Sequence, residues 1–354
     1  MTSSQSRTRL ALFGAGAIGR THIDRIQRNP LLALAGIADP SDAARDLAGT
    51  LGVPWFADHR SLLDATRPQG AVVATPNPLH VPMALDCLER GVAALVEKPV
   101  TDALDAGLAL VAAQHRTGVP VLVGQHRRYN PINRRARALV QDGALGRVVT
   151  ANVMSTILKP DHYFDVAWRR EPGGGPILIN LIHEIDQLRF IVGDITSVQA
   201  MKSHAVRGFA VEDTAAVTVG FANGALGTLV LSDTVTSPWC WDFCAGEQEQ
   251  YPRQSVQSHF IGGTHGSLSL PDLALWTYRG ERSWHAEMTR EQTSLHRVDP
   301  YTAQLEHFAA VIAGTESPVC DALDGLKTLQ ATLAVGQAAA AGTRIELPPL
   351  EVTP

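Results

Sequence analysis

The feature that most restricts the fold is a set of three spaced glycines, Gly14-Ala-Gly16-Ala-Ile-Gly19. They stand between an aliphatic run, Leu10 to Phe13, and a stretch of helical period, Ile18 to Arg28. A strand must pass directly into a helix there. Gly14 permits the tight turn, Gly16 lets a ligand approach the backbone, and Gly19 lets the helix lie close against the strand. The alternation then repeats. Leu31 to Ala38, Val53 to Phe56, Ala71 to Ala74, Val92 to Val96 and Val119 to Val123 are short aliphatic runs without polar alternation, the pattern of strands covered on both faces. Between them, Ser41 to Leu47, Ser61 to Thr66, Val81 to Arg90 and Asp102 to Arg116 have helical period, the last two closed by Gly91 and Gly118. Right-handed crossovers turn such a series into a doubly wound parallel sheet, so the fold class is α/β.

Beyond about residue 128 the pattern changes. Thr214 to Phe221 and Leu226 to Leu231 flank Ala222-Asn-Gly224, a hairpin signal, and Ala303 to Ile312 and Leu323 to Ala341 have the character of closing helices. The expected organisation is a dinucleotide-binding domain over 1–127 and a substrate-binding domain over 128–354, the second with a mostly antiparallel sheet. Pro238 to Thr302 is the least legible stretch. A chain of 354 residues, 45% hydrophobic, can bury two cores. A net charge of -5 argues against a dedicated nucleic-acid binder. The polar opening Met1 to Arg7 and the lack of a long apolar run argue against secretion and membrane spanning, so a cytoplasmic location is expected. None of the four cysteines forms a C-x-x-C pair, and Trp239 to Cys244 lacks metal-ligand spacing; reduced thiols and no metal are expected.

The glycine spacing, in its strand-to-helix context, predicts a dinucleotide with its phosphates at the helix N-terminus, beside Gly14, Gly16, Ala17, Ile18 and Gly19. About 20 residues after Gly19, Asp39 closes the second strand, where a carboxylate accepts the ribose 2′-hydroxyl. Pro40 and Ser41 bring no guanidinium for a 2′-phosphate, so NAD is expected over NADP. Ligands in open α/β sheets bind at the carboxyl ends of the strands. Two further loops lie at such ends: Thr75, Pro76, Asn77 and His80 after the fourth strand, and Glu97-Lys98-Pro99 after the fifth. Gln125 follows the sixth.

Together the glycine set, Thr75-Pro-Asn-Pro-Leu-His80 and Glu97-Lys98-Pro99 resemble the Gfo/Idh/MocA family of oxidoreductases. The resemblance continues through Gly124 to Pro131, Trp168-Arg169, Gly173-Gly-Gly175 leading to His183-Glu-Ile-Asp186, Glu212-Asp-Thr214 and Gly263 to Leu268. It implies a Rossmann domain followed by an α/β domain with an open sheet, assembly as a homodimer or homotetramer, a nicotinamide cofactor, and redox chemistry at a secondary alcohol or ketone of a polar ring. It also implies that Lys98 and His183 are catalytic. An Asp usual in the family four residues before the His is replaced here by Ile179.

At ~100° per helical residue, Asn180 and Asp186 fall about 60° to either side of His183 and Gln187 about 40° away, a polar stripe opposite Ile177, Leu181, Ile185, Leu188 and Val192. Asn180, Arg127, Arg169 and His162 are the candidate substrate contacts, the arginines because a guanidinium grips a carboxylate with two hydrogen bonds. Oxidising an alcohol needs a base near the working pH; histidine titrates in that range, and a lysine reaches it when burial and a neighbouring cation lower it from ~10.4. Two other activities fit the same motifs: elimination or hydrolysis of a glycoside in which NAD is reduced and reoxidised within one turnover, and dinucleotide sensing without catalysis.

Overall fold

A computed structural model describes residues 7–351, so six residues of the polar opening lie outside it. The chain divides into two units, one comprising the described residues through Tyr129 together with Val298–Leu329, the other Asn130–Arg297 and Gln330–Pro349.

The first unit alternates β1 (Thr8–Phe13), α1 (Ala17–Arg28), β2 (Leu32–Ala38), α2 (Asp42–Leu51), β3 (Trp55–Phe56), α3 (His59–Thr66), β4 (Gly70–Val73), α4 (His80–Glu89), β5 (Ala93–Val96), α5 (Leu104–Thr117) and β6 (Val121–Val123). All six strands are parallel, in the order β3-β2-β1-β4-β5-β6. This is the doubly wound order, whose direction reverses between β1 and β4. The aliphatic runs are strands because helices cover both faces: Leu10, Leu12, Ile37, Val72, Leu95 and Leu122 are fully buried. Local signals set the helix starts. Ser41 accepts from the Ala44 N–H to cap α2, and Asp58 accepts from the Ser61 N–H to cap α3.

The second unit opens with α6 (Pro131–Gln141) and β7 (Val148–Thr156), then α7 (Ile182–Ile191), β8 (Ile195–Ser203), β9 (Thr214–Phe221), β10 (Leu226–Ser232) and the one-turn α8 (Trp241–Cys244). The stretch that was hardest to read forms β11 (His259–Gly263), β12 (Gly266–Leu270), β13 (Ala274–Tyr278) and β14 (Met288–Gln292). After α9 (Pro300–Ile312) and α10 (Ala322–Ala341), the short β15 (Ile345–Glu346) closes the other edge of the sheet. Its nine strands run β14-β13-β12-β11-β7-β10-β9-β8-β15, with β10 and β7 parallel and the remaining pairs antiparallel. Burial alternates along β9 and β10, so one face is covered and the other carries Leu226, Val230, Phe260 and Trp276 to the surface.

Two expectations change. The polar stripe of α7 is not laid out by a uniform helical period, and most of its polar groups are enclosed: Asp186 and Gln187 are each 1% exposed, and the neighbouring Glu184 is 2% exposed. Partners inside the unit make that burial tolerable, since Glu184 Oε2 lies 2.9 Å from His259 Nε2 and Gln187 donates to Asn133 at 2.8 Å. The helix also begins as a π turn, Ile177–Leu181, so a uniform 100° per residue misplaces Asn180 relative to His183. The second change is in the organisation of the chain. Val298–Leu329, which the sequence pattern placed in the substrate domain, belongs to the first unit. Leu305 and Phe308 of α9 join the core cluster of Leu10, Leu12 and Ile37, and a side chain at Gly70 would strike Phe308 and Ile312. No described helix is long and apolar enough to cross a membrane.

Candidate active site

The glycine turn lies at the carboxyl end of β1, beside the reversal point of the sheet. Gly14 has φ +85°, and a Cβ there would stand 2.6 Å from the Ala74 carbonyl oxygen. At Gly19 a Cβ would be driven into the Gly14 carbonyl oxygen. Gly16 differs: a Cβ there meets nothing within 4 Å, and as the N-cap of α1 it offers no side chain to the first-turn N–H groups. Two glycines therefore close the turn while the third keeps a space open over an uncapped helix start, which suits a pyrophosphate.

Asp39 follows β2. Its Oδ2 accepts the Ala15 N–H at 2.8 Å and its Oδ1 accepts the Ser41 N–H and hydroxyl at 2.9 and 2.6 Å. Partial burial works to raise its pKa, but these donors and the Arg20 charge outweigh it and hold the carboxyl below its ordinary value. The group is an anion at the edge of the turn. These residues fit a dinucleotide: Gly14, Gly16, Ala17, Ile18 and Gly19 for the phosphates, and Asp39 for a ribose.

The loops after β4 and β5 are tied together rather than both open to a ligand. His80 stands 2.8 Å from the Pro99 carbonyl through Nδ1 and 2.8 Å from the Thr75 carbonyl through Nε2, so both ring nitrogens brace the loops. Glu97 is likewise a brace. Its buried Oε1 lies 2.8 Å from His22 Nε2, and its Oε2 accepts the Lys98 N–H at 3.2 Å. Burial would raise the Glu97 pKa, yet the His22 hydrogen bond and charge, His126 and Lys98 together lower it. Lys98 thus leaves β5 on a backbone anchored by a buried carboxylate, with its own side chain half-buried. Thr75, Pro76 and Asn77 stay at the mouth of the β4 loop, whereas Gln125 and Arg127 are buried after β6. His126 stacks on Tyr301, ring centroids 4.5 Å apart.

In the second unit the expected residues differ in setting. His162 is exposed. Arg169 lies over the Tyr163 ring, 3.9 Å from its centroid, and donates to the Tyr163 carbonyl at 2.7 Å. His183 is half-buried in the first turn of α7, and Asn180 in the π turn accepts at Oδ1 from Lys159 Nζ at 2.8 Å. Lys159 is 8% exposed. Among the described residues no cluster of three or more His, Cys, Asp or Glu side chains could hold a metal ion.

Residues 8–125 match the oxidoreductase family with an NAD-binding Rossmann fold, and residues 133–269 match the C-terminal domain of the Gfo/Idh/MocA proteins. The chain belongs to the Gfo/Idh/MocA family of oxidoreductases. Among its family relatives, inositol 2-dehydrogenase of Rubrobacter xylanophilus is 28% identical over 93% of this chain and 90% of its own. The scyllo-inositol 2-dehydrogenase (NAD(+)) of Bacillus subtilis is 24% identical over 97% of each chain. The WlbA dehydrogenase of Bordetella pertussis, solved with NADH and UDP-GlcNAcA, shares the fold at a TM-score of 0.78 and 24% identity, covering 97% of this chain and 99% of that one. The family's Rossmann domain binds NAD, and the loops described above line its ligand edge.

The residues that the sequence did not single out are His22, Tyr301 and Lys159. For Lys159 a signal was available. Leu158-Lys159-Pro160 closely follows a strand just as Val96 precedes Lys98-Pro99, the same succession of strand, lysine and proline.

Proposed function

We propose that the protein is an NAD-dependent dehydrogenase that oxidises a secondary alcohol on a polar ring, or reduces the matching ketone. The observation that carries this is the anchored Lys98 at the carboxyl end of β5, in a sheet whose neighbouring turn fits a dinucleotide. When bound, NAD supplies the hydride acceptor. Lys98 donates a hydrogen bond to the reacting oxygen, and His183 is its partner in moving the hydroxyl proton. Asn180, Arg127 and Arg169 orient the ring. Relatives named inositol 2-dehydrogenase favour a cyclitol or sugar. A screen of cyclitols, sugars, lactones and cyclic diols for NADH formation tests the proposal. A glycoside consumed without net NADH formation, or NAD binding without turnover on any alcohol, would replace it.

NAD is preferred over NADP in this proposal because the Asp39 carboxylate, held ionised, accepts a 2′-hydroxyl and repels a 2′-phosphate. Asp39→Ala should narrow the NAD to NADP ratio of kcat/KM by roughly 10- to 100-fold, the scale of a hydrogen bond to a charged group. A wild type that favours NADP would refute the assignment.

The exposed apolar side chains on the open face of the nine-stranded sheet support a homodimer or homotetramer, which light scattering on the eluting protein checks. Four cysteines that are all buried and form no C-x-x-C pair are in keeping with a reducing compartment such as the cytoplasm.

A further inference from the structure

The environment of Lys159 in the second unit is short of acceptors. An ammonium has three N–H donors. One is given to Asn180 Oδ1, while Asp233 Oδ2 lies 3.7 Å away, beyond hydrogen-bond length, although the side chain is 8% exposed. Asp233 is more closely engaged by Arg207, whose Nε donates to its Oδ1 at 2.9 Å. Burial lowers the Lys159 pKa; Asp233 opposes that, and Arg207 and Arg169 add to it. Arg169 stands over the same Tyr163 ring as Lys159, at 3.9 and 4.9 Å from its centroid, and its side-chain hydrogen bond goes to a carbonyl rather than a carboxylate.

Three cations, Lys159, Arg169 and Arg207, are therefore set against two buried carboxylates, Asp233 and Asp213. The second of these is occupied by the Val206 and Arg207 N–H groups and the Thr214 hydroxyl. A third carboxylate, Asp161, lies 3.7 Å from Arg207 Nη1 but is fully exposed and screened by water, so away from solvent one positive charge is in excess. Because an ammonium only donates, Asn180 must turn its oxygen to Lys159, which leaves its NH2 as a further donor. The groups left to meet a ligand are all donors.

We propose that Lys159 and Arg169, with the Asn180 amide, form a carboxylate subsite, so that the ring alcohol this protein acts on carries a carboxylate. The inference rests on the dehydrogenase proposal and narrows its substrate class. A singly charged, acceptor-only group answers both the excess charge and the surplus of donors, and a guanidinium engages it with two parallel hydrogen bonds.

The test is calorimetric titration of the NAD-saturated protein with D-glucuronate and D-galacturonate against their neutral twins, D-glucose and D-galactose. At least one acid should bind ~10-fold or more tightly than its twin, the scale of a charge-assisted hydrogen bond. Lys159→Met and Arg169→Met should each erase that advantage, the acid losing ~10-fold or more in affinity relative to its neutral twin. Lys159→Met keeps Asp233 paired with Arg207, and Arg169 is only half-buried, so thermal midpoints near the wild type are expected for both. Acids that bind no better than their twins, fail to bind at all, or keep their advantage in both variants would overturn the subsite. NADH formation from myo-inositol without any preference for acids overturns the subsite and upholds the dehydrogenase. Acid binding lost in both variants, with no NADH formed from any alcohol, upholds the subsite and removes the dehydrogenase.

Discussion

Lys98→Ala should lower turnover by at least ~10²-fold while NAD binds as it does to the wild type, the usual scale for losing a general acid or base. The separation is expected from where Lys98 sits. Its backbone is fixed by Glu97, which is itself held by His22, and neither bond depends on the Lys98 ammonium. The glycine turn and Asp39 are likewise untouched by the change. His183→Ala should cost a similar factor, because a proton released by the alcohol needs a second group to carry it away. Asn180→Ala should instead raise KM more than it lowers kcat, since an amide orients but cannot take a proton. Single-turnover hydride transfer, measured beside NAD affinity, checks all three. Full activity in a folded, NAD-binding Lys98→Ala protein would pass the proton to another group. Lys159, buried beside Asn180, would then be a better candidate than exposed His162.

The two glycines at the start of α1 should fail in opposite ways. In Gly16→Ala the new methyl meets nothing within 4 Å, so the thermal midpoint should hold while NAD affinity falls by ~10²-fold or more, because the methyl occupies the space kept for the phosphates. In Gly19→Ala the methyl collides with the Gly14 carbonyl, which is backbone and has no rotamer by which to yield. That variant should lose several degrees or more of thermal midpoint as well as NAD binding, an overpacking cost of ~1–3 kcal/mol or above. Equal stability losses in the two variants would show that Gly16 also serves packing.

Legibility of the sequence followed burial. The strands of the first sheet were readable because a parallel sheet covered on both faces needs unbroken apolar runs, as Leu10 to Phe13 and Val92 to Val96 show. Thr214 to Phe221 was readable for the opposite reason, a strict alternation ending in Asn-Gly. Met288–Gln292 was not, because an edge strand that is mostly exposed carries no hydrophobic period at all. In α7 the sequence shows a polar stripe but not what it meets, because the buried partners, His259 for Glu184 and Asn133 for Gln187, are brought to it only by folding. Lys98 and His183 were found through motifs. Lys159 shares the strand, lysine and proline succession of Lys98, but its meaning comes from Asn180, Asp233 and Tyr163, which are brought to it by folding rather than by spacing.

The return of Val298–Leu329 to the first unit bears on how the chain emerges from the ribosome. Strands β1 to β6 are all synthesised by residue 123, yet Leu305 and Phe308, which complete their core, follow almost two hundred residues later. At ~5–20 residues per second the nascent sheet waits roughly 10–40 s for them. During that interval the surface that α9 will cover around Gly70 is bare, while all of the second sheet except its edge strand β15 is being made. The nucleotide-binding half is therefore the first to begin and among the last to finish, and its exposure to chaperones and to aggregation is set by the length of the insertion rather than by its own stability.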